Sequence, residues 1–164
     1  MVNVLDLLQS QHSEVDQLFA QLEAGTGDKV AAFRELADKL AAHATVEEKI
    51  FYPGVLQART VDMLHEAVEE HLAIKRVLAD LIEMDPDVDQ DEFAAKLTVL
   101  KEEVSHHAHE EEESKLFPVL RKAMSNDELA ALGNEVLAMF EDLMEQAPRR
   151  NVSSETDHAA SLPA

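Results

Sequence analysis

Residues 36–53, LADKLAAHATVEEKIFYP, decide the fold. The apolar residues Leu36 and Leu40 repeat with the period of an α-helix. His43 and Glu47 then interrupt that apolar stripe, and because they are four residues apart they lie on one helical face. A helix that buries an imidazole beside a carboxylate predicts a bundle whose interior contains a polar site.

The same apolar period recurs along most of the chain and marks four long helices and a shorter fifth one. The long helices are separated by short breaks at Gly25-Thr26-Gly27, Pro53-Gly54 and Asp85-Pro86. Long helices with short connections favour antiparallel neighbours. The sequence therefore predicts an all-α fold, an antiparallel up-down four-helix bundle with an additional C-terminal helix.

Two helix starts resemble capping boxes, one formed by Asp89 and Glu92 and the other by Ser125 and Glu128. From Pro148 onward the sequence is polar and has no apolar period. We therefore predict one helical domain at residues 1–147 and a disordered C-terminal tail at residues 148–164.

Composition narrows the classes of function. The formal net charge is −20 and there is no cysteine. The charge argues against nucleic acid and anionic lipid as partners, because contact with phosphates needs a basic face. No apolar run approaches the length of a membrane-spanning helix, and the first ten residues do not resemble a signal peptide. We expect a cytoplasmic protein with no membrane partner; its oligomeric state is open, with a monomer favoured.

Each of the four long helices carries a histidine on its apolar stripe. These residues are His12, His43, His71 and His107. Glutamates follow His43 and His107 one turn later. Burying all these groups without partners would cost on the order of several kcal/mol. A shared cation removes most of that cost, because neutral imidazoles and ionised carboxylates are metal ligands. With no cysteine thiolate available, iron, manganese and zinc are the candidates.

Four blocks of sequence, residues 11–19, 43–53, 69–71 and 106–118, resemble the hemerythrin-like (HHE cation-binding) domain family, of the short bacterial type. The resemblance covers about residues 1–122. It implies two iron ions joined by an oxo or hydroxo bridge. It also implies the ligands His12, His43, Glu47, His71 and His107, with Glu111 or Glu112 completing the set.

The choice between Glu111 and Glu112 depends on the local helix. On a regular α-helix Glu111 shares a face with His107. However, Glu112 precedes Pro118 by six residues, as Glu47 precedes Pro53, and the apolar stripe shifts by one residue here. A π-bulge would absorb that shift. We favour Glu111 and keep Glu112 as the alternative.

The third long helix departs from the family's oxygen carriers, which have a second histidine one turn after the first. Lys75 stands at that position after His71. Lysine is a poor ligand for iron because it stays protonated near neutral pH. We therefore predict that one iron is open to a small molecule, unless Tyr52 supplies an additional ligand. Glu48 either orients a histidine or belongs to a solvated helical face, and the sequence leaves both open.

The other histidines, His65, His106, His109 and His158, are interpreted as residues of the surface or of an outer layer. A centre with fewer histidines favours turnover of peroxide over oxygen carriage. The leading hypothesis is thus a di-iron protein that disproportionates hydrogen peroxide like a catalase. The alternatives are non-enzymatic binding of O2 or NO, iron sensing or iron storage, and a bundle whose polar cluster is only structural.

Overall fold

The computed structural model describes all 164 residues and contains helices but no strands. The α-helices are α1 (Val4–Ala24), α2 (Lys29–Val46), α3 (Tyr52–Val55), α4 (Val61–Glu83), α5 (Gln90–Ser105), α6 (Phe117–Ala123) and α7 (Asn126–Met144). A first π-helical segment (Glu47–Phe51) joins α2 to α3, and a second (His106–Leu116) joins α5 to α6. A 3-10 helix (Pro148–Glu155) follows α7.

The bundle consists of four long rods, which are α1, α2 with α3, α4, and α5 with α6. The helix α7 packs against α1 and α2. This arrangement confirms the predicted four-helix bundle with an additional C-terminal helix. Pro53 does not end its helix, because the helix continues through the first π-helical segment and stops at Val55.

Helix starts and ends follow local hydrogen bonding. The Asn3 side chain accepts a hydrogen bond from the backbone N–H of Leu5 at 2.9 Å and so caps α1. Gly25 ends α1 with a positive φ of 68°, a conformation that glycine adopts without strain. The capping box of Ser125 and Glu128 at the start of α7 is confirmed.

The predicted capping box of Asp89 and Glu92 at the start of α5 is wrong. The Asp89 backbone has φ −98° and ψ 45° instead of the extended conformation usual at this position. Its side chain therefore does not cap the helix, and only its carbonyl oxygen accepts the first helical hydrogen bond, from Phe93.

Two apolar clusters form the core. One contains 18 buried residues and includes Phe19, Leu36 and Leu78; the other contains 15 and includes Phe51 and Leu116. The buried histidines and glutamates lie between these two clusters along the bundle, so the fold places its candidate site at mid-length.

Gly133 marks the closest approach of α7 to the N-terminus. A Cβ atom added to this residue would overlap the carbonyl group of Val2, which is backbone and cannot rotate away. We expect Gly133→Ala to lower the free energy of unfolding by about 1–3 kcal/mol, the usual cost of overpacking. Urea denaturation measures the change. Gly54→Ala is the matched control, because the added Cβ meets only the flexible end of the Leu132 side chain. Equal stability of the two variants would contradict the close approach.

The predicted disorder of residues 148–164 is wrong for the segment that forms the 3-10 helix. Val152 is 1% exposed and belongs to the first apolar cluster. The Arg149 guanidinium donates to the Asp38 carboxylate at 2.7 Å, and the Arg76 guanidinium donates to the carbonyl oxygen of Thr156 at 3.0 Å. The segment escaped prediction because only Pro148 and Val152 are buried in it, and two apolar residues do not form a periodic pattern.

None of the helices combines enough length and hydropathy to traverse a lipid bilayer.

Candidate metal centre

The four predicted histidines bring their Nε2 atoms together in the middle of the bundle. The Nε2 atoms of His12 and His43 are 3.2 Å apart, and those of His71 and His107 are 3.0 Å apart. All four side chains are buried. Each comes from a different rod, so the site forms only when the whole bundle has assembled.

Two carboxylates connect these imidazole pairs. Glu47 places one oxygen 3.1 Å from Nε2 of His43 and the other 3.0 Å from Nε2 of His71. The Oε1 atom of Glu112 is 3.3 Å from Nε2 of His12 and 3.4 Å from Nε2 of His107. Two groups of potential metal ligands result, one of His12, His43, Glu47 and Glu112 and the other of Glu47, His71 and His107.

An outer layer of oxygen atoms receives the other nitrogen of each imidazole. Nδ1 of His12 faces Glu113 at 2.7 Å, and Nδ1 of His71 faces Glu48 at 2.9 Å. The two remaining contacts are Nδ1 of His43 to Gln11 at 2.6 Å and Nδ1 of His107 to Glu70 at 3.0 Å. An imidazole that donates from Nδ1 to such an acceptor presents, when neutral, the lone pair of Nε2 to the interior.

The residues of the two ligand groups form an inner layer that fits a cation. They are His12, His43, Glu47, His71, His107 and Glu112. If the imidazoles are neutral, the Nε2 lone pairs of His12 and His43 face each other across 3.2 Å. Those of His71 and His107 face each other across 3.0 Å. The buried oxygens Glu47 Oε1 and Glu112 Oε1 also have no hydrogen-bond partner. Buried acceptors without donors are costly, and a divalent cation between them would satisfy nitrogen and oxygen together.

The charges agree with this view. Burial by itself lowers the pKa of His12, but the neighbouring carboxylates of Glu112 and Glu113 raise it to about 9. Burial raises the pKa of Glu47, but the charge of His43 and hydrogen bonds from the surrounding imidazoles hold it well below its ordinary value. Without metal, ionised Glu47 and a proton on His12 stabilise each other, and a bound cation would replace that proton.

The second π-helical segment corrects the preference for Glu111. Its wider turn carries Glu112 onto the face of His107, where Glu112 is 1% exposed. Glu111 points outward and its carboxylate accepts a hydrogen bond from Lys115 at 2.6 Å. The preference for Glu111 assumed a regular α-helix, whereas the shift in the apolar stripe was the sign of the π-helix.

Tyr52 lies inside the cluster. Its hydroxyl is 3.1 Å from oxygens of Glu47 and Glu112, and 3.2 Å and 3.3 Å from Nε2 of His71 and His107. Burial, together with the charges of Glu112 and Glu47, raises the pKa of Tyr52 well above its ordinary value. The phenol is therefore neutral without metal and lies where it would contact a cation held by His71 and His107.

Lys75 lies outside the inner layer. Its ammonium group donates to both oxygens of Glu48, at 2.8 Å and 3.0 Å, and Glu48 in turn faces His71. Glu48 therefore lies in the outer layer, as its proposed orienting role requires. Gln11, Glu70 and Glu113 also lie in the outer layer, but they were not predicted from the sequence. Glu113 follows Glu112 directly, and Glu70 directly precedes His71.

The other histidines lie on the surface or in the outer layer, as interpreted from the sequence. His65 and His158 are exposed. His106 is 46% exposed and contacts Glu70 and Glu110, and His109 is 35% exposed and contacts Asp16 and Glu113.

A cavity of about 30 Å³ adjoins the ligand cluster. The imidazoles of His43 and His71 form part of its wall, and apolar side chains such as Leu40 and Ile74 form much of the rest. A water molecule needs roughly 10–15 Å³ by the same measure, so this cavity admits molecules of about two heavy atoms.

The model of the hemerythrin HHE cation binding domain matches residues 3–120, which include every residue of the inner layer. The chain belongs to this family. Membership and the buried His/Glu cluster together establish a metal-binding domain. The resemblance seen in the sequence motifs is thereby confirmed.

One relative is a "DNA nickase" from Nostoc sp. (strain PCC 7120), which is 27% identical over 139 residues. The matched region covers 84% of this chain but 39% of the relative, so the chain corresponds to less than half of that protein. No solved structure matches the chain.

Proposed function

We propose that this protein holds two iron ions in its inner layer and disproportionates hydrogen peroxide to water and oxygen. The observation that carries the proposal is the pair of ligand groups that share Glu47. A carboxylate whose two oxygens face different imidazole pairs is suited to bridging two cations. Imidazole and carboxylate without thiolate are ligands that non-haem iron accepts.

The proposed ligands are His12, His43, Glu47, His71, His107 and Glu112. Tyr52 is proposed as an additional oxygen ligand in the group of His71 and His107, where the family's oxygen carriers have another histidine. The support is its hydroxyl, which lies within 3.3 Å of both imidazoles, whereas Lys75 is turned toward Glu48. This centre would contain one imidazole fewer than that of an oxygen carrier, and fewer histidines favour turnover of peroxide over carriage of oxygen.

An iron pair would supply Lewis acidity and would exchange electrons with peroxide. The chain's own residues orient the ligands and leave space for a small substrate. The outer carboxylates fix the imidazoles with Nε2 turned inward. The cavity has room for a molecule of the size of hydrogen peroxide. The reaction balances as two peroxide molecules giving two of water and one of O2, so it needs no further reductant.

Oxygen evolution tests the activity. The protein is loaded with ferrous iron, its iron content is counted, and oxygen is recorded after addition of peroxide. We expect evolution well above that of the same concentration of free iron. His71→Ala should lose it, because an imidazole of the inner layer is missing, whereas His65→Ala, an exposed histidine on the same helix, should keep it. No evolution above free iron, or equal loss in both variants, would contradict the proposal.

Reversible binding of O2 or NO is the second candidate, because the cavity beside the ligands is small and largely apolar. Such walls suit neutral diatomic molecules. A reduced protein that forms an oxygen adduct and releases O2 under vacuum, without consuming peroxide, would favour binding over turnover.

We do not extend the nickase activity named for the Nostoc relative to this chain. With 14 Lys and Arg against 34 Asp and Glu, the net charge of −20 repels phosphates. A cytoplasmic location and a monomeric state stay predictions.

A further inference from the structure

The C-terminal 3-10 helix lies outside the region that the family model matches, which ends at residue 120. It reads PRRNVSSE, and its one long apolar side chain is that of Val152. This side chain is 1% exposed, although its neighbours Asn151 and Ser153 are exposed. The burial of Val152 in a mostly polar segment raises the question of what this side chain contacts.

The segment fills the space between two rods of the bundle. The helices α2 and α4 touch each other little, and the segment lies against both of them. Val152 joins the apolar cluster that contains Leu40 of α2, Ile74 of α4 and Val104 of α5. Val152 thus fills the gap between α2 and α4.

The same valine borders the cavity beside the ligand cluster. Val152 and Glu155 line it from the C-terminal segment, and His43 and His71 line it from the bundle. The wall of the cavity is therefore completed by a segment that follows the bundle in sequence.

Three polar contacts hold the segment in place. Arg149 donates to Asp38, Arg76 donates to the carbonyl oxygen of Thr156, and Lys75 lies 3.6 Å from the Glu155 carboxylate. Lys75 belongs also to the outer layer through Glu48. The segment is thereby fixed both at the surface and next to the ligand cluster.

We propose that residues 148–155 wall off the cavity and that Val152 is the residue that sets the size of the molecules reaching the ligand cluster. The catalytic side of this inference rests on the proposed peroxide activity, whereas the closure itself does not. The chemical class admitted is that of small neutral molecules such as hydrogen peroxide, O2 and NO, and organic hydroperoxides are excluded.

Tyr52 provides a probe of closure that is independent of activity. It is the only tyrosine and there is no tryptophan, so the intrinsic fluorescence reports on the ligand cluster alone. Its hydroxyl touches His71, which also lines the cavity. In the metal-free protein with all 164 residues, we expect little quenching of this fluorescence by acrylamide. Val152→Ala removes two methyl groups from the wall and should increase the quenching constant severalfold.

Val136→Ala is the matched control. Val136 is 0% exposed and loses the same two methyl groups, but it belongs to the other apolar cluster and does not border the cavity. An increase in Val152→Ala with none in Val136→Ala supports the inference. No increase in either variant, or an equal increase in both, would overturn it, because closure would then not depend on this residue.

The iron-loaded protein tests the limit on size. The consumption rate of tert-butyl hydroperoxide relative to that of hydrogen peroxide should rise roughly tenfold in Val152→Ala, the scale of discrimination that small changes in an apolar pocket produce. An unchanged ratio in a variant that still consumes hydrogen peroxide overturns the role of Val152 in selection. If neither peroxide is consumed by any variant, the proposed function fails while the quenching result still decides closure.

Discussion

Glu112→Gln is expected to abolish tight binding of iron, whereas Glu111→Gln is expected to leave it intact. Glu112 faces imidazoles of both ligand groups and its Oε1 atom has no hydrogen-bond partner. A neutral amide keeps the size of the side chain but loses the charge that a cation requires. Because the loss of an outer-layer partner alone weakens metal binding by about 10–100-fold, the loss of this carboxylate should exceed roughly 100-fold.

Iron content after desalting and competition with a chelator measure the effect. Glu111→Gln makes the same chemical change one residue earlier in the second π-helical segment. It weakens only contacts with the exposed side chains of Lys115 and His106, and exposed ion pairs contribute little to stability. If Glu111→Gln lost iron and Glu112→Gln kept it, the position of the π-helix would be contradicted.

Removal of the metal is expected to lower the melting temperature of the protein by roughly 8–16 °C. A ligand present at 1,000 times its dissociation constant stabilises the native state by about 4 kcal/mol, and each kcal/mol shifts the melting of a domain this size by roughly 2–4 °C. The inner layer comes from four rods, so the bound ions would cross-link the whole bundle. Thermal unfolding followed by circular dichroism, before and after chelation, measures the shift.

The variants described above supply the controls for metal removal. Glu111→Gln should show the full shift on chelation, and Glu112→Gln should show little, because it has little metal to lose. The stabilisation should also weaken in acid, since protons compete with the cation for imidazole and carboxylate. A melting temperature that is independent of metal in the wild-type protein would argue that the cluster is only structural.

The architecture followed from the sequence because it depends on periodic features. Residues such as Leu36 and Leu40 recur every turn, and breaks such as Gly25 stand between the recurring stretches, so the number and order of the long helices could be predicted. The four inner histidines could be found for the same reason, since each replaces an apolar residue in a stripe.

Features that depend on backbone geometry were harder to predict from the sequence. Whether Glu111 or Glu112 faces His107 depends on a single residue of helical phase, and the shift in the apolar stripe indicated the π-helix without deciding the glutamate. Likewise, Asp89 has the right residue type for a cap but the wrong backbone dihedral angles. Residue identity alone does not fix either outcome.

Contacts between rods could not be predicted for residues that lie outside the apolar stripes. Glu70 and Glu113 look like ordinary residues of a solvated helical face, and only the packing of the rods turns them toward His107 and His12. Val152 is similarly a lone apolar residue in a polar stretch. Its burial depends on the gap between α2 and α4, which exists only in the assembled bundle.

The two separate apolar clusters have a consequence for cooperativity. Side-chain packing binds each cluster internally, but a layer of charged and polar groups lies between them. Hydrophobic contact alone therefore couples the two ends of the bundle weakly, and each end is a potential unit of local unfolding. Metal bound in the middle layer would link the two ends. Loading with metal would therefore make the two ends unfold in a single cooperative transition.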